Sequence, residues 1–229
     1  MKNFKDKSAL VCVPMFDTPG RKDSSGAFKP EAQRFVKHMG LNATVRLFDN
    51  NRAPGDRRKE VGIALDRSRD LDLVAFFCHG WKDGVQTGWN SGTVKDLADK
   101  LVLACTSDAT IALYCCDTGR GQDGKDPAPG PGGLGGFASL LYTAMCARGF
   151  RGMLWAHATE GHTSMNPFVR IFAQDESIPL AHWAVEPDSD QFRVWRKLLA
   201  ATTLRYSMLQ CETLDELSAE ISRLSALAE

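Results

Sequence analysis

The chain predicts an α/β domain built on a parallel, doubly wound sheet, and three observations carry that expectation. Short apolar runs of β character alternate with stretches of helical period along most of the 229 residues. Two of the runs, Leu71–Cys78 and Thr110–Cys115, are apolar apart from Asp72 and Thr110 near their starts. Each stops at a chemically reactive residue: His79-Gly80 follows the first, and Cys116 follows the second. In parallel sheets the carboxyl ends of the strands gather the reactive groups, so neighbouring strands with these ends would set an imidazole beside a thiol.

The elements follow in order. Ser8–Phe16 reads as a first strand, Lys29–Met39 as a helix closed by Gly40, and Ala43–Phe48 as a second strand. Asp56–Arg69 is a charge-rich helix, and Leu71–Cys78 is the third strand. Thr93–Cys105 is a helix with Val94, Leu97, Ala98, Leu101 and Val102 on one face, leading to the fourth strand at Thr110–Cys115. A loop at 117–136 carries Pro127, Pro129, Pro131 and a run of glycines. It reads either as a mobile segment beside the site or as a plain exposed connection. Phe137–Arg148 is a helix stopped by Gly149, and Gly152–Ala156 is a fifth strand. Phe168–Ala173 and Leu180–Val185 fit strand or helix, because short apolar runs do not fix the period. Ser189–Leu209 and Thr213–Leu227 have helical spacing, and Thr213-Leu-Asp-Glu216 is a capping-box pattern. With no repeat or linker, residues 1–229 are expected to form one domain ending in helices at about 189–228.

Composition narrows the partners. Lys plus Arg number 28 and Asp plus Glu number 28, so the chain lacks the basic footprint of a nucleic-acid or anionic-membrane binder. A protein or peptide substrate fits, with a regulatory partner chain or a homodimer as further possibilities. The seven cysteines (12, 78, 105, 115, 116, 146 and 211) are odd in number and lie mostly in apolar runs, which suits reduced thiols and a cytoplasmic location. The apolar stretch Ala9–Phe16 is short, contains Pro14 and lacks a small-residue cleavage site, so no signal peptide is read.

The chemistry implied by a paired His and Cys is nucleophilic. The thiolate attacks, and the imidazole takes the thiol proton and later delivers it to the leaving group. The oxyanion that forms needs donors: Gly80 N–H, unobstructed by a Cβ, and Cys116 N–H are the candidates. Cys115, one residue earlier, points to the opposite face of its strand and belongs to the core.

Strand then His79-Gly80, followed by strand then Tyr114-Cys115-Cys116-Asp117-Thr118-Gly119, resembles the caspase-like cysteine peptidases, a class that includes caspases, metacaspases, legumains and gingipains. The second motif is closest to the metacaspase pattern Asp-Cys-Cys-His-Ser-Gly, whose second cysteine, here Cys116, is the nucleophile. The resemblance spans roughly Ser8 to Thr163 as an order of elements. It implies a three-layer sandwich with a mostly parallel sheet of about six strands and helices on both faces. It also implies a cysteine endopeptidase working through His79, Cys116 and a thioester acyl-enzyme.

Two positions depart from the pattern. Tyr114 stands where metacaspases have an acid that helps hold a basic substrate side chain, so that preference does not carry over. Asp117 stands where they have His, and its carboxylate would oppose thiolate formation unless it points away or pairs with a cation such as Arg120. The resemblance further implies a substrate pocket lined by the loop after the first strand and the segment after the fifth. There Asp17 suits a basic substrate side chain and Arg21 an acidic one, with His157, Glu160 and His162 on the other wall. His157-Ala-Thr-Glu160-Gly-His162 follows a strand and lacks the i, i+4 spacing of a helical zinc pair, so no metal and no cofactor is expected. His38 and His182 read as structural, and Trp81 and Trp89 as packed residues or a cover over a bound peptide.

Two other classes stay open: a glutamine amidotransferase-like or DJ-1-like hydrolase using His157 or His162, and a caspase-like binding module without activity. Control of a peptidase would come from a partner, from dimerisation or from cleavage within 117–136, where Arg120 and Lys125 are candidates.

Overall fold

The computed structural model describes residues 4–16, 28–122, 133–159, 169–174, 181–183, 219 and 222–223. Its centre is a sheet of seven strands in the order β2-β1-β3-β6-β7-β8-β9. The strands are β1 (Ser8–Pro14), β2 (Asn42–Phe48), β3 (Leu71–Phe77), β6 (Cys105–Tyr114), β7 (Met153–His157), β8 (Val169–Phe172) and β9 (Ala181–Trp183). The first five are mutually parallel, and β8 and β9 are added antiparallel at one edge. The sheet thus has one strand more than the expected six, and the two apolar runs that fitted either period are both strands.

Among the described residues the helices that cover it are α1 (Phe28–Met39), α2 (Pro54–Asp66), α3 (Val94–Ala104) and α4 (Phe137–Cys146). In α1 the apolar residues Phe28, Ala32, Phe35 and Val36 recur at helical spacing and close over one face of the sheet. They bury Val11, Val13, Leu73, Ala75, Phe77 and Tyr114. The alternate residues of the same strands, among them Leu10, Cys12, Val74, Phe76, Ile111 and Leu113, face α2, α3 and α4. The result is the three-layer α/β sandwich anticipated from the chain.

Helix ends explain where the layers turn. Gly40, at φ +64°, follows α1, and Leu41 N–H reaches back to Val36 O at 3.1 Å, a Schellman closure that frees the chain to enter β2. Gly149, at φ +87°, does the same after α4, with Phe150 N–H on Met145 O at 3.2 Å. Pro54 opens α2, where its missing N–H costs no intrahelical bond.

The structure differs from the sequence reading in two places before the site. β6 begins at Cys105 instead of Thr110, directly from α3, because a register shift between Leu71 and Leu73 absorbs the polar segment around Asp108. A two-stranded ribbon, β4 (Gly80–Trp81) with β5 (Gly84–Val85), follows β3 immediately and was not anticipated. The candidate C-terminal helices, with Cys211, lie outside the described residues except for short helical pieces at 219 and 222–223. Among the described residues no helix is long and apolar enough to cross a membrane.

Candidate active site

β3 and β6 are neighbours and parallel, and their last paired residues are Phe77 and Tyr114. Their rings stack, with centroids 4.8 Å apart and planes 24° from parallel, on the α1 face of the sheet. One residue further along, Cys78 and Cys115 turn to the opposite face, where their sulfurs lie 3.5 Å apart. Two residues beyond the stacked pair come His79 and Cys116. Both lie past the ends of their strands, at the carboxyl rim of the sheet, and the Phe28 ring of α1 packed against the imidazole puts His79 on the α1 side. His79 is exposed and Cys116 is partly exposed.

Gly80 accounts for how close the two segments come. A Cβ built on it would lie 2.6 Å from Cys115 Cβ, 2.8 Å from Cys116 O and 2.9 Å from Thr118 Cγ2. All three distances are shorter than any stable carbon contact, so only glycine permits this approach of the two main chains. His79 itself is held from both sides. Its N–H donates to Gln86 Oε1 at 3.2 Å, and Gln86 N–H donates to its carbonyl at 2.9 Å, so the ribbon that follows β3 anchors the histidine. The edge of Phe28, from the first turn of α1, meets the imidazole at 4.7 Å between centroids and 84° between planes.

The turn after Cys116 is tied down at several points. Asp117 adopts φ +60°, a left-handed conformation that Asp tolerates better than most side chains. Its N–H donates to Thr159 O at 3.2 Å, and Gly119 N–H donates to His157 O at 2.7 Å, joining the turn to the end of β7. Thr118 Oγ1 donates to Cys115 O at 2.9 Å, and Ala138 N–H at the start of α4 donates to Thr118 O at 3.2 Å. Arg170 of β8, a buried guanidinium, donates from Nη1 to Gly119 O at 3.3 Å. The Asp117 carboxylate forms an ion pair with Arg120 Nη1 at 3.4 Å, the pairing that removes the sequence-level objection to a carboxylate next to the thiol.

Electrostatics distinguishes the two adjacent cysteines. Cys115 is fully buried, and burial, then its hydrogen bond and charge coupling to Cys78, hold its thiol well above the ordinary range. Its sulfur also donates to Phe76 O at 3.3 Å. Cys12, in the same core, is raised by burial as well. These thiols are packing groups, and of the vicinal pair Cys116 alone meets solvent.

The remaining sequence candidates are distributed as follows. Tyr114 and His157 are buried and packed edge to face at 5.0 Å, behind the rim and not on its surface. Burial, followed by the charge of Glu31, pushes the Tyr114 phenol up. Asp17, Arg21, Glu160, His162 and Lys125 lie outside the described residues. Arg120 is partly buried and ion-paired, unlike the open cleavage residue expected of it. Trp89 is fully buried with Nε1–H on Asp96 Oδ2 at 2.8 Å, whereas Trp81 is 45% exposed. Sequence reasoning assigned no role to Gln86, Thr118, Phe28 and Arg170; Phe28 and Arg170 act through contacts distant along the chain, and only Asp83-Gly84, a hairpin-type dipeptide, signalled the ribbon that carries Gln86. Among the described residues no group of three or more His, Cys, Asp or Glu is arranged to hold a metal ion. No family model and no curated protein matches the chain.

Proposed function

We propose that the protein is a cysteine endopeptidase of the caspase-like class, with Cys116 as nucleophile and His79 as acid and base. The observation that supports this reading most is the registered placement of His79 and Cys116. Each stands two residues past a paired position on adjacent parallel strands, at the carboxyl rim, with His79 exposed and Cys116 partly exposed.

In this mechanism the Cys116 thiolate attacks the scissile carbonyl carbon, and the carbonyl π electrons move to oxygen. The N–H groups of Gly80 and Cys116 receive the oxyanion. The C–N bond then breaks as the His79 imidazolium gives its proton to the departing amine, leaving a thioester on Cys116. Water, deprotonated by His79, attacks the thioester. The thiolate leaves, and the peptide acid is released.

Tyr114 and the buried His157 offer no exposed anchor for a charged side chain, so on this reading side-chain preference rests with Asp17, Arg21, Glu160 and His162, which lie outside the described residues. The amidotransferase-like alternative needs His157 or His162 at the nucleophile; the His157 ring is buried against Tyr114. Burial of Cys12, Cys78 and Cys115 as core thiols supports a reducing, cytoplasmic setting. Regulation by a partner chain, dimerisation or cleavage within 117–136 belongs to the same proposal.

The test is labelling by an electrophilic peptide probe together with a peptide-library digest. Labelling and cleavage by the native protein, both lost in Cys116→Ala and reduced about 10²- to 10⁴-fold in His79→Ala, are expected. Activity that survives His79→Ala but not His157→Ala would transfer the reading to the amidotransferase-like class. A folded protein that neither cleaves nor labels would be a binding module.

A further inference from the structure

The end of the sheet remote from His79 and Cys116 carries a cleft of about 230 Å³ between the edge strand β2 and helix α2. Its origin is topological. α2 buries Val61 and Leu65 in the core it shares with Leu10 and Cys12 of β1, and leaves the same face of edge strand β2 uncovered. Leu10 and Cys12 pair in register with Thr44 and Arg46. Register partners in a parallel ladder share a face, so Thr44 and Arg46 project on the α2 side, and both are exposed. From α2, Ile63 and Arg67 stand one turn apart along the opposite wall, with Ile63 40% exposed, and Leu10 and Leu71 complete an apolar floor.

The lining holds two guanidinium groups and no carboxylate. Among the described residues neither the Arg46 nor the Arg67 side chain has a hydrogen-bond or ion-pair partner. Of the carboxylates closest in sequence to the cleft residues, Asp66 pairs with Lys100 at 3.0 Å and Asp72 with Lys7 at 3.1 Å, and Asp70 is not part of the lining. The carbonyls at the C-terminal end of α2 would repel an anion. Two of them, those of Asp66 and Ser68, already accept hydrogen bonds from Arg69 Nη1.

We propose that this cleft binds a small amphiphilic anion, a carboxylate on a short aliphatic chain. Arg46 and Arg67 receive the carboxylate, and Ile63, Leu10 and Leu71 receive the chain. The volume lies below the roughly 300–1,000 Å³ of clefts that enclose drug-sized ligands, which limits the occupant to a small molecule. Planar guanidinium groups suit a carboxylate through paired N–H···O bonds. The site is independent of the peptidase reading and stands whether or not Cys116 is reactive.

The test is a backbone-amide NMR titration of the whole chain with hexanoate, inorganic phosphate and hexanol. Hexanoate is expected to give saturable shifts at residues 44–46 and 63–68, half-saturating at about 1 mM as its size allows. Phosphate and hexanol, each supplying half of the recognition, should bind at least about tenfold more weakly. Arg46→Ala and Arg67→Ala alter exposed side chains, so the fold persists, and each should weaken hexanoate about three- to tenfold. Non-saturating shifts up to about 50 mM, or shifts unaffected by both substitutions, would overturn the proposal. Phosphate or hexanol binding as well as hexanoate would refute its amphiphilic character.

Discussion

The sulfurs of Cys78 and Cys115 lie 3.5 Å apart inside the core, and each cysteine immediately precedes a residue of the rim, His79 or Cys116. The pair therefore reports the register of the two strands from behind, just as the stacked rings of Phe77 and Tyr114 report it one residue earlier. One position along the chain separates a thiol sealed in the core, Cys115, from one that meets solvent, Cys116.

That division has a measurable consequence for thiol reactivity. Under native conditions at mildly alkaline pH, iodoacetamide should modify Cys116 first. Cys105, pushed up to about 12 by burial, should react slowly, and Cys12 and Cys115 only after unfolding. Mass mapping over time, with and without urea, follows the order. Native labelling of Cys115 as fast as Cys116 would refute the orientation described.

Gly80→Ala places a methyl group 2.6–2.9 Å from three atoms of the 115–118 segment, two of them on the β-carbon and carbonyl of adjacent cysteines that cannot swing aside. Overpacking of this kind costs about 1–3 kcal/mol. Calorimetry should show Tm lower by several degrees, about 2–4 °C per kcal/mol for a chain of this size. On the proposed reading, peptide cleavage should fall further than stability, because the displaced groups are those that would receive the oxyanion.

The Asp117–Arg120 ion pair predicts opposite pH shifts for its two members. Asp117→Asn removes a negative charge beside Cys116, so the acid limb of the pH–rate profile, or of probe labelling, should move to lower pH. Arg120→Ala leaves the carboxylate uncompensated, and the limb should move to higher pH. Shifts in the same direction would show that the pair does not act on the thiol.

Far from the rim, Asp72 ties β3 to the start of β1. Partial desolvation opposes its charge, but Ser8 N–H at 3.0 Å, the Ser8 hydroxyl at 3.1 Å and Lys7 at 3.1 Å outweigh this and hold the carboxyl below its ordinary range. A carboxyl depressed in the folded state contributes stability above its unfolded value, near 3.9, that is lost as pH falls through the folded value. Denaturation of Asp72→Asn should show a deficit under about 1 kcal/mol at pH 7, small because the pair is partly exposed, that vanishes as pH falls through the depressed folded-state value. A deficit constant with pH would assign the effect to packing.

Much of this was legible in the chain. Leu71–Phe77 could be read because, Asp72 apart, it is the continuous apolar run of a strand covered on both faces, and α1 because Phe28, Ala32, Phe35 and Val36 repeat at helical spacing. The ends of β3 and β6 followed from where apolarity stops. The β4–β5 ribbon escaped because two-residue strands have no period to detect. The anchors of the rim escaped for a different reason. Gln86 holds the main chain of His79 across the ribbon, and Arg170 lies 51 positions from the carbonyl it binds, so neither partner is written next to it in the chain.

His79 and Cys116 follow two different strands, β3 and β6, which are paired in space but separated along the chain by the whole of α3. Neither segment holds the pair by itself. On the proposed reading, a nascent chain therefore stays harmless to its surroundings until long-range pairing is complete, and folding itself acts as the first safeguard against premature proteolysis.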